Sequence, residues 1–308
     1  MVYPVRVNSS SAIDTIIERL YENKGCSVVY SLAGLHGNLD NVWPLDNISR
    51  PKKAVSIVIC TYGRPESLNE TLASLTKQTF KDFEVILLTE KGDLSKLRDT
   101  GLKSARGDIV SFIDDDVYCP PTWLEGVTQS FREGIVGVTG PTIIKASFRA
   151  NRDVFKYRRL RWLQDKLFKV PCKPGHLSQT GTPSMESNNE SCSYKGPVEY
   201  LECCNMSFKK KEAIDVGGFD RNYVRTGEWS EVDLSLRLRR RGTLYFTPLA
   251  RLEHRPSKQG IYTARIQTDH RWKNFVYFQR SWIKPSLRRH LYWIFVWTYL
   301  KMKNLRMI

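Results

Sequence analysis

Three adjacent carboxylates, Asp114, Asp115 and Asp116, close an apolar, β-branched run that starts at Gly107-Asp108-Ile109. Such a run reads as a buried strand that delivers acids to the edge of a sheet. Carboxylates crowded together repel one another and raise each other's pKa unless a cation sits among them. A divalent metal is the simplest such cation. Hard oxygen ligands favour Mg2+ or Mn2+, which complete their shells with water and substrate phosphates. The competing reading is a solvated acidic turn after a strand.

The elements around the triplet favour a site. Residues 55–60 (Val-Ser-Ile-Val-Ile-Cys) form a predicted buried strand, followed by a turn at Thr61-Tyr62-Gly63-Arg64-Pro65. Pro65 stands where a helix can begin, and Leu68, Leu72 and Leu75 then recur at core spacing over 66–76. A second strand is predicted at 83–88, a second helix at 93–105 and a third strand at 108–113, the pattern of a parallel α/β unit with right-handed crossovers. Ligands of such sheets bind beyond the carboxyl ends of the strands. Thr61, the pair Thr89-Glu90 and Asp114 to Asp116 all fall on that rim. Neither G-x-x-x-x-G-K-[ST] nor G-x-G-x-x-G occurs, so no P-loop or dinucleotide fingerprint is available.

Beyond a short strand at 135–140, residues 145–169 are basic and aromatic and read as an amphipathic helix, either a surface element or a lid or membrane-facing wall. Residues 171–197 are rich in Ser, Gly, Asn, Pro and Thr and are expected to form a long flexible loop, with Gly181 as a possible hinge. A strand is expected at 198–208, a helix at 209–216 capped by Gly217-Gly218, and a strand at 243–247 ahead of Glu253-His254-Arg255. Glu228, Glu231 and Asp233 cluster at a helix start, where acids often serve only as partners of the helix dipole.

Residues 55–141 resemble the nucleotide-sugar-binding half of glycosyltransferase family 2. The resemblance rests on Val-Ser-Ile-Val-Ile-Cys-Thr-Tyr-Gly-Arg-Pro from 55, Lys-Leu-Arg-Asp-Thr-Gly from 96, and Ile-Asp-Asp-Asp-Val with Pro121-Thr122-Trp123-Leu124 behind it. Asn-Met-Ser-Phe at 205–208, Gly-Gly-Phe-Asp at 217–220 and the acidic helix start at 228–238 extend it into the second half. Where the family usually has two acids or Asp-Asn after the second strand, this chain has Thr89-Glu90, which makes Glu90 the better candidate for contact with the nucleotide base. Leu97-Arg98-Asp99-Thr100-Gly101 stands for Ala-Arg-Asn-x-Gly, and Ser230-Glu231 for Glu-Asp.

The resemblance implies an α/β, GT-A (Rossmann-like) mixed sheet flanked by helices, and an inverting, metal-dependent transfer of a sugar from a UDP-, GDP- or dTDP-linked donor. It implies Thr61, Arg64, Glu66, Glu90, Arg98, Asp114 and Asp115 at the donor, and Asp114, Asp116 and His254 on Mn2+ or Mg2+. It implies Glu231 as the base that takes the acceptor's proton, with Asp233 and Glu228 as the alternatives. A lone histidine such as His254 is more often structural than a ligand.

Composition bounds the remainder. The chain has 308 residues, 41% of them hydrophobic, and a net charge of +16, which favours a polyanionic partner. Seven cysteines, with no C-x-x-C spacing, argue against a disulfide framework and against a zinc site. No apolar run approaches the roughly 20 residues of a membrane span, and residues 1–11 lack the apolar centre of a signal peptide. From Pro256 onward eleven bases face one acid, a net +10 of the total. Among them, Leu291 to Leu300 is apolar and rich in Trp and Tyr, which suits an interfacial helix or a helix packed on the core. The expected division is an N-terminal extension at 1–53, the catalytic domain at 54–255 (halves 54–141 and 142–255), and a basic aromatic helical tail at 256–308. The expected setting is the cytosol, peripheral at the inner face of the cell membrane, with an anionic membrane surface and a glycan or lipid-linked acceptor as partners. Two other readings compete: a nucleic-acid-binding protein, for which the acidic rim is the wrong charge, and a catalytically inactive scaffold of the same fold.

Overall fold

The computed structural model describes residues 27–31, 53–144, 162–184, 192–256 and 268–304. The first strand is β1 (Ser27–Ser31). The predicted alternation follows as β2 (Val55–Cys60), α1 (Pro65–Leu75), β3 (Phe83–Leu88), α2 (Leu94–Ser104) and β4 (Ile109–Ile113). Strands β1, β3, β2 and β4 are all parallel neighbours. Both faces of this part are covered, so its strands are apolar on both sides. Ile57, Ile59 and Val85 meet Leu68, Leu72 and Leu75 of α1 on one face. Val58, Ile86 and Val110 meet Leu97 and Leu102 of α2 on the other. Each such fully buried leucine contributes about 2 kcal/mol. Gly101 lets α2 lie close on β2, because a Cβ there would come within 2.5 Å of Val58 Cγ1.

After β4 come β5 (Val117–Tyr118), α3 (Trp123–Ser130), β6 (Ile135–Thr139), β7 (Thr142–Ile143), β8 (Gly196–Val198), β9 (Asn205–Lys209) and α4 (Lys210–Asp215). They are followed by α5 (Ser230–Leu238), β10 (Thr243–Phe246), β11 (Leu252–His254), α6 (Thr268–Trp282) and α7 (Leu287–Asn304). The main sheet has the order β1-β3-β2-β4-β9-β6-β10-β8. It is mixed: β9 runs antiparallel to both β4 and β6, while β10 is parallel to β6. The expected mixed α/β sheet flanked by helices is therefore the fold observed. A second sheet, β5-β11-β7, is built from three short strands.

Several expectations change on the structure. The strand expected at 198–208 is two strands, because β8 pairs with β10 at the sheet edge and β9 pairs with β4 and β6 in the interior. The chain must cross between those positions, and residues 199–204 make the crossing. Residues 171–184 are packed, with Ser178, Thr180, Thr182 and Ser184 buried and Ser178 Oγ hydrogen-bonded to Thr180 Oγ1 at 2.8 Å. Gly181 is a tight turn at φ +76°, where a Cβ would lie 3.0 Å from Gln279 Nε2. Strand β1 joins the main sheet beside β3, so part of the expected extension belongs to the catalytic body. Residues 11–23 of the expected N-terminal extension, whose sequence reads as a helix, lie outside the described residues, as do 145–161 of the basic amphipathic stretch and 185–191 of the loop.

The expected tail is also not separate. Helix α6 hydrogen-bonds back through Gln279 Nε2 to Thr180 O at 2.8 Å and Asn274 Nδ2 to Val224 O at 2.9 Å. Tyr292 and Leu300 of α7 are buried, and Tyr292 packs edge-on against Phe168 and Phe275. The opposite side of α7 exposes Leu287, Leu291, Ile294 and Trp297 at 77, 52, 61 and 48%. Among the described residues, no helix is long and apolar enough to cross a membrane.

Candidate active site

The acidic triplet follows β4 directly, and its three side chains meet different partners. Asp115 is fully buried and accepts from Thr61 Oγ1, while Arg64 Nη2 lies 2.7 Å from its Oδ1. Burial outweighs these partners and pushes the Asp115 pKa up to about 7. Asp116 faces the other way: its Oδ1 is 3.1 Å from His254 Nε2, and its Oδ2 is 3.4 Å from Arg64 Nη1. Asp114 is half-buried at the mouth between them, and burial, with Asp116 adding to it, raises its pKa.

The small sheet explains why a histidine so distant in sequence arrives here. Val117 of β5 pairs with His254 of β11, and Arg255 N donates to Asp116 O at 2.7 Å. One ligand atom from each of Asp114, Asp116 and His254 lies within 4.8 Å of the others. Two carboxylates and an imidazole are a donor set that fits Mn2+ or Mg2+.

The second acidic feature enters from α5. Its N-cap, Trp229, adopts φ +77°, an uncommon backbone for a bulky residue. The Trp229 ring is held by stacking on Phe278 of α6 at 4.7 Å, so the C-terminal helices fix the start of α5. Two residues later, within the first turn of α5, stands Glu231. Its carboxylate Oε2 is 3.9 Å from Arg98 Nη1, and burial pushes its pKa up to about 7 in spite of that charge. Burial opposes the Arg98 charge, yet Cys203, Glu231, Asp114 and Cys60 around it hold its pKa above the ordinary value. Arg98 is thus the group common to the triplet and Glu231.

Opposite β4, the chain returns through Cys203-Cys204 into β9. Asn205 anchors that turn: its Nδ2 donates to Ala250 O at 2.7 Å and Gly140 O at 3.2 Å, and its Oδ1 accepts from Trp123 Nε1 at 3.1 Å. Burial holds the neighbouring Cys60 thiol at about 12, so it stays protonated.

The model of glycosyl transferase family 2 matches residues 56–89 and 85–185, the segments that build β2 to β7 and the rim. Residues 56–185 belong to glycosyltransferase family 2. A glucosyl-dolichyl phosphate glucuronosyltransferase of Haloferax volcanii is 23% identical over 208 residues, covering 56% of this chain and 58% of that protein. A pre-mycofactocin glycosyltransferase of Mycobacterium tuberculosis is 27% identical over 174 residues, covering 56% of this chain and 32% of the relative. The aligned stretch thus spans between a third and three fifths of these relatives. Among solved structures, a mannosyltransferase of Pyrobaculum calidifontis in complex with GDP-Man and Mn2+ is 14% identical with a TM-score of 0.48, covering 96% of this chain and 79% of that one.

Within this family 2 framework the expected residues divide. Thr61, Arg64, Arg98, Asp114, Asp115, Asp116, His254 and Glu231 are linked by the contacts above. Glu90 is half-buried beyond β3, beside the Thr61 N to Leu88 O hydrogen bond of 2.8 Å. Glu66 is exposed on the first turn of α1. Asp233 is engaged by other side chains. Its Oδ2 accepts from Arg237 Nη2 at 2.6 Å and Nε at 3.0 Å, and its Oδ1 from Trp282 Nε1 at 2.6 Å, so both oxygens hold α5 in place. Glu228 is likewise engaged, 2.7 Å from Arg271 Nε and accepting from Thr226 Oγ1. Cys203 and Cys204, within the strand predicted at 198–208, instead precede β9 and stand beside Asp114. Their adjacency just ahead of the Asn-Met-Ser-Phe segment was the available signal.

Proposed function

We propose that this protein is an inverting glycosyltransferase that moves a sugar from a nucleotide-sugar to a hydroxyl of a lipid-linked or glycan acceptor. The observation that carries the reading is the pairing of a cation-fitting group at the end of β4 with Glu231, a part-buried carboxylate bridged to that group by Arg98. An inverting transfer needs a base on the face of the sugar opposite the leaving diphosphate. Glu231 takes the proton of the acceptor hydroxyl as its oxygen bonds to the anomeric carbon and the bond from that carbon to the diphosphate breaks. Arg98 orients Glu231 and keeps it ionisable near neutrality. Arg64 and Thr61 fix Asp115, which holds the rim rigid for the donor. Asp114, Asp116 and His254 would hold Mn2+ or Mg2+, whose charge offsets that of the departing diphosphate.

The relative named for glucosyl-dolichyl phosphate supports a lipid-linked acceptor, as does the surface of α7. It exposes the stripe Leu287, Leu291, Ile294 and Trp297, and Trp162, Leu163 and Leu167 are exposed on the helical segment 162–168. Phe168 joins the two elements by packing on Tyr292 and Phe295. With Lys166, Arg288 and Lys301 close by, this face suits an anionic membrane surface, where apolar burial and basic flanks act together. The purified chain, incubated with UDP-, GDP- or dTDP-sugars and Mn2+ or Mg2+, is expected to hydrolyse or be thermally stabilised by one nucleotide class. No response to any donor with either ion overturns the reading.

A further inference from the structure

Asp114 belongs to two ligand groups at once. Besides its place with Asp116 and His254, one of its oxygens lies within 4.8 Å of the sulfurs of Cys203 and Cys204, which are themselves within that distance of each other. Around a tetrahedral ion with bonds of about 2.0–2.3 Å, two sulfurs and one oxygen stand roughly 3.5–4 Å apart, so small side-chain rotations close the group. The backbone that carries the thiols is held on both sides. Leu201 N donates to Ser235 Oγ at 3.1 Å, and Asn205 is tied to Ala250 O at 2.7 Å. Cys203 is half-buried and Cys204 buried, and neither forms a disulfide.

We propose that Asp114, Cys203 and Cys204 form a second cation site, selective for thiophilic divalent ions such as Zn2+ or Cd2+ over Mg2+. Thiolates select the softer ions, while the carboxylate and imidazole group next door accepts the harder ones. Two S–H bonds break, two protons leave to solvent and two metal–sulfur bonds form, with no change of oxidation state. Charge also closes: three anionic ligands face a divalent ion and the Arg98 guanidinium beside Cys203. Three protein ligands leave the fourth position of a tetrahedral ion open. An ion held here withdraws Asp114 from the hard-cation group, so Zn2+ antagonises Mn2+-dependent donor binding; that consequence, unlike the site itself, rests on the transfer reading above. The absence of C-x-x-C spacing does not bear on this site, because its third ligand comes from a distant segment, the residue that follows β4.

The test is a Cd2+ titration of the reduced full chain in excess Mg2+, read by the ultraviolet thiolate-to-cadmium charge-transfer band. The parent is expected to take up one ion with a saturable band. Asp114→Asn should keep the band and weaken affinity at least tenfold, and the double variant Cys203→Ser/Cys204→Ser should lose it. A second measurement needs no variant: Cd2+ should protect Cys203 and Cys204 of the parent from alkylation by N-ethylmaleimide, as read by peptide mass spectrometry. No band in the parent, an undiminished band in the double variant, or equal labelling of both cysteines with and without Cd2+ overturns the site. A band together with failure of every donor screen sinks the transfer reading alone, and donor turnover without a band sinks only this site.

Discussion

Arg98 Nη1 stands 3.9 Å from Glu231 Oε2, and the Glu231 carboxyl nonetheless has a pKa of about 7 against an ordinary value of 4.5. Burial dominates and the guanidinium opposes it, which leaves the carboxylate poised to exchange a proton near neutrality. Glu231→Gln is therefore expected to lower turnover by ~10² to 10⁴, with donor affinity by calorimetry unchanged. Equal losses in both would move Glu231 to the donor side.

The same shift fixes a sign for stability. A carboxyl whose folded pKa is raised contributes stability below about 4.5 that is lost as pH rises through about 7. The Glu231→Gln variant should accordingly melt higher than the parent at pH 8, and the difference should vanish near pH 4. Melting curves across that range that stay parallel would mean that Glu231 is not desolvated in solution.

Arg98 can be tested through its neighbour. Removing its charge in Arg98→Gln leaves burial unopposed, so the acid limb of the turnover profile, set near pH 7 by Glu231, moves to higher pH. Arg98→Lys should restore part of the shift. A limb that stays in place while turnover falls would make Arg98 a donor contact and not a positioning residue.

The α/β half of the chain was legible in the sequence because its signals are local. Strands β2 to β4 are apolar on both faces, Pro65 marks the first turn of α1, and three acids after an apolar run mark a strand end. What was hidden depends on packing between distant segments. The Ser/Thr-rich residues 178–184 have the composition of a flexible loop, yet their hydroxyls satisfy one another inside the protein. The break at 199–204 reflects a crossing from the sheet edge to its interior, which no periodicity announces. Asp233 resembled a base by position alone. Only α6, arriving from the far C-terminal side with Trp282, reveals that both its oxygens are occupied.

Asp116→Ala should abolish Mn2+-dependent nucleotide-sugar binding in calorimetry while the circular dichroism spectrum stays that of the parent. Its carboxylate is the one that meets both His254 and Arg64. Undiminished binding in the variant removes the cation group from the donor site.

Asp233→Ala should instead strike stability. It strands Arg237 and the Trp282 indole, 2.6 Å from Oδ2 and Oδ1 respectively, at a cost on the order of 3 kcal/mol in urea unfolding. A variant as stable as the parent but without turnover would return Asp233 to the candidates for the base.

The face of α7 calls for point substitutions and not truncation, because Tyr292 and Leu300 on its other side are part of the core. Leu291→Glu/Ile294→Glu should release the chain from anionic liposomes in co-sedimentation, and added salt should weaken the parent's binding. Equal pelleting of parent and variant would show that this stripe does not meet lipid.

The reversal of chain direction at β9 has a structural corollary. Asn205 opens β9 opposite Ile113, the last residue of β4, so one segment leaves the candidate site at the point where another comes back to it. Asp114 to Asp116 follow β4, and Cys203 and Cys204 precede β9. A change of residue type at the part-buried Glu202 or Cys203 can then alter the β9 side of the site while the β4 pairings keep their register. Because the two sides lie far apart along the polypeptide, either can vary without rebuilding the sheet.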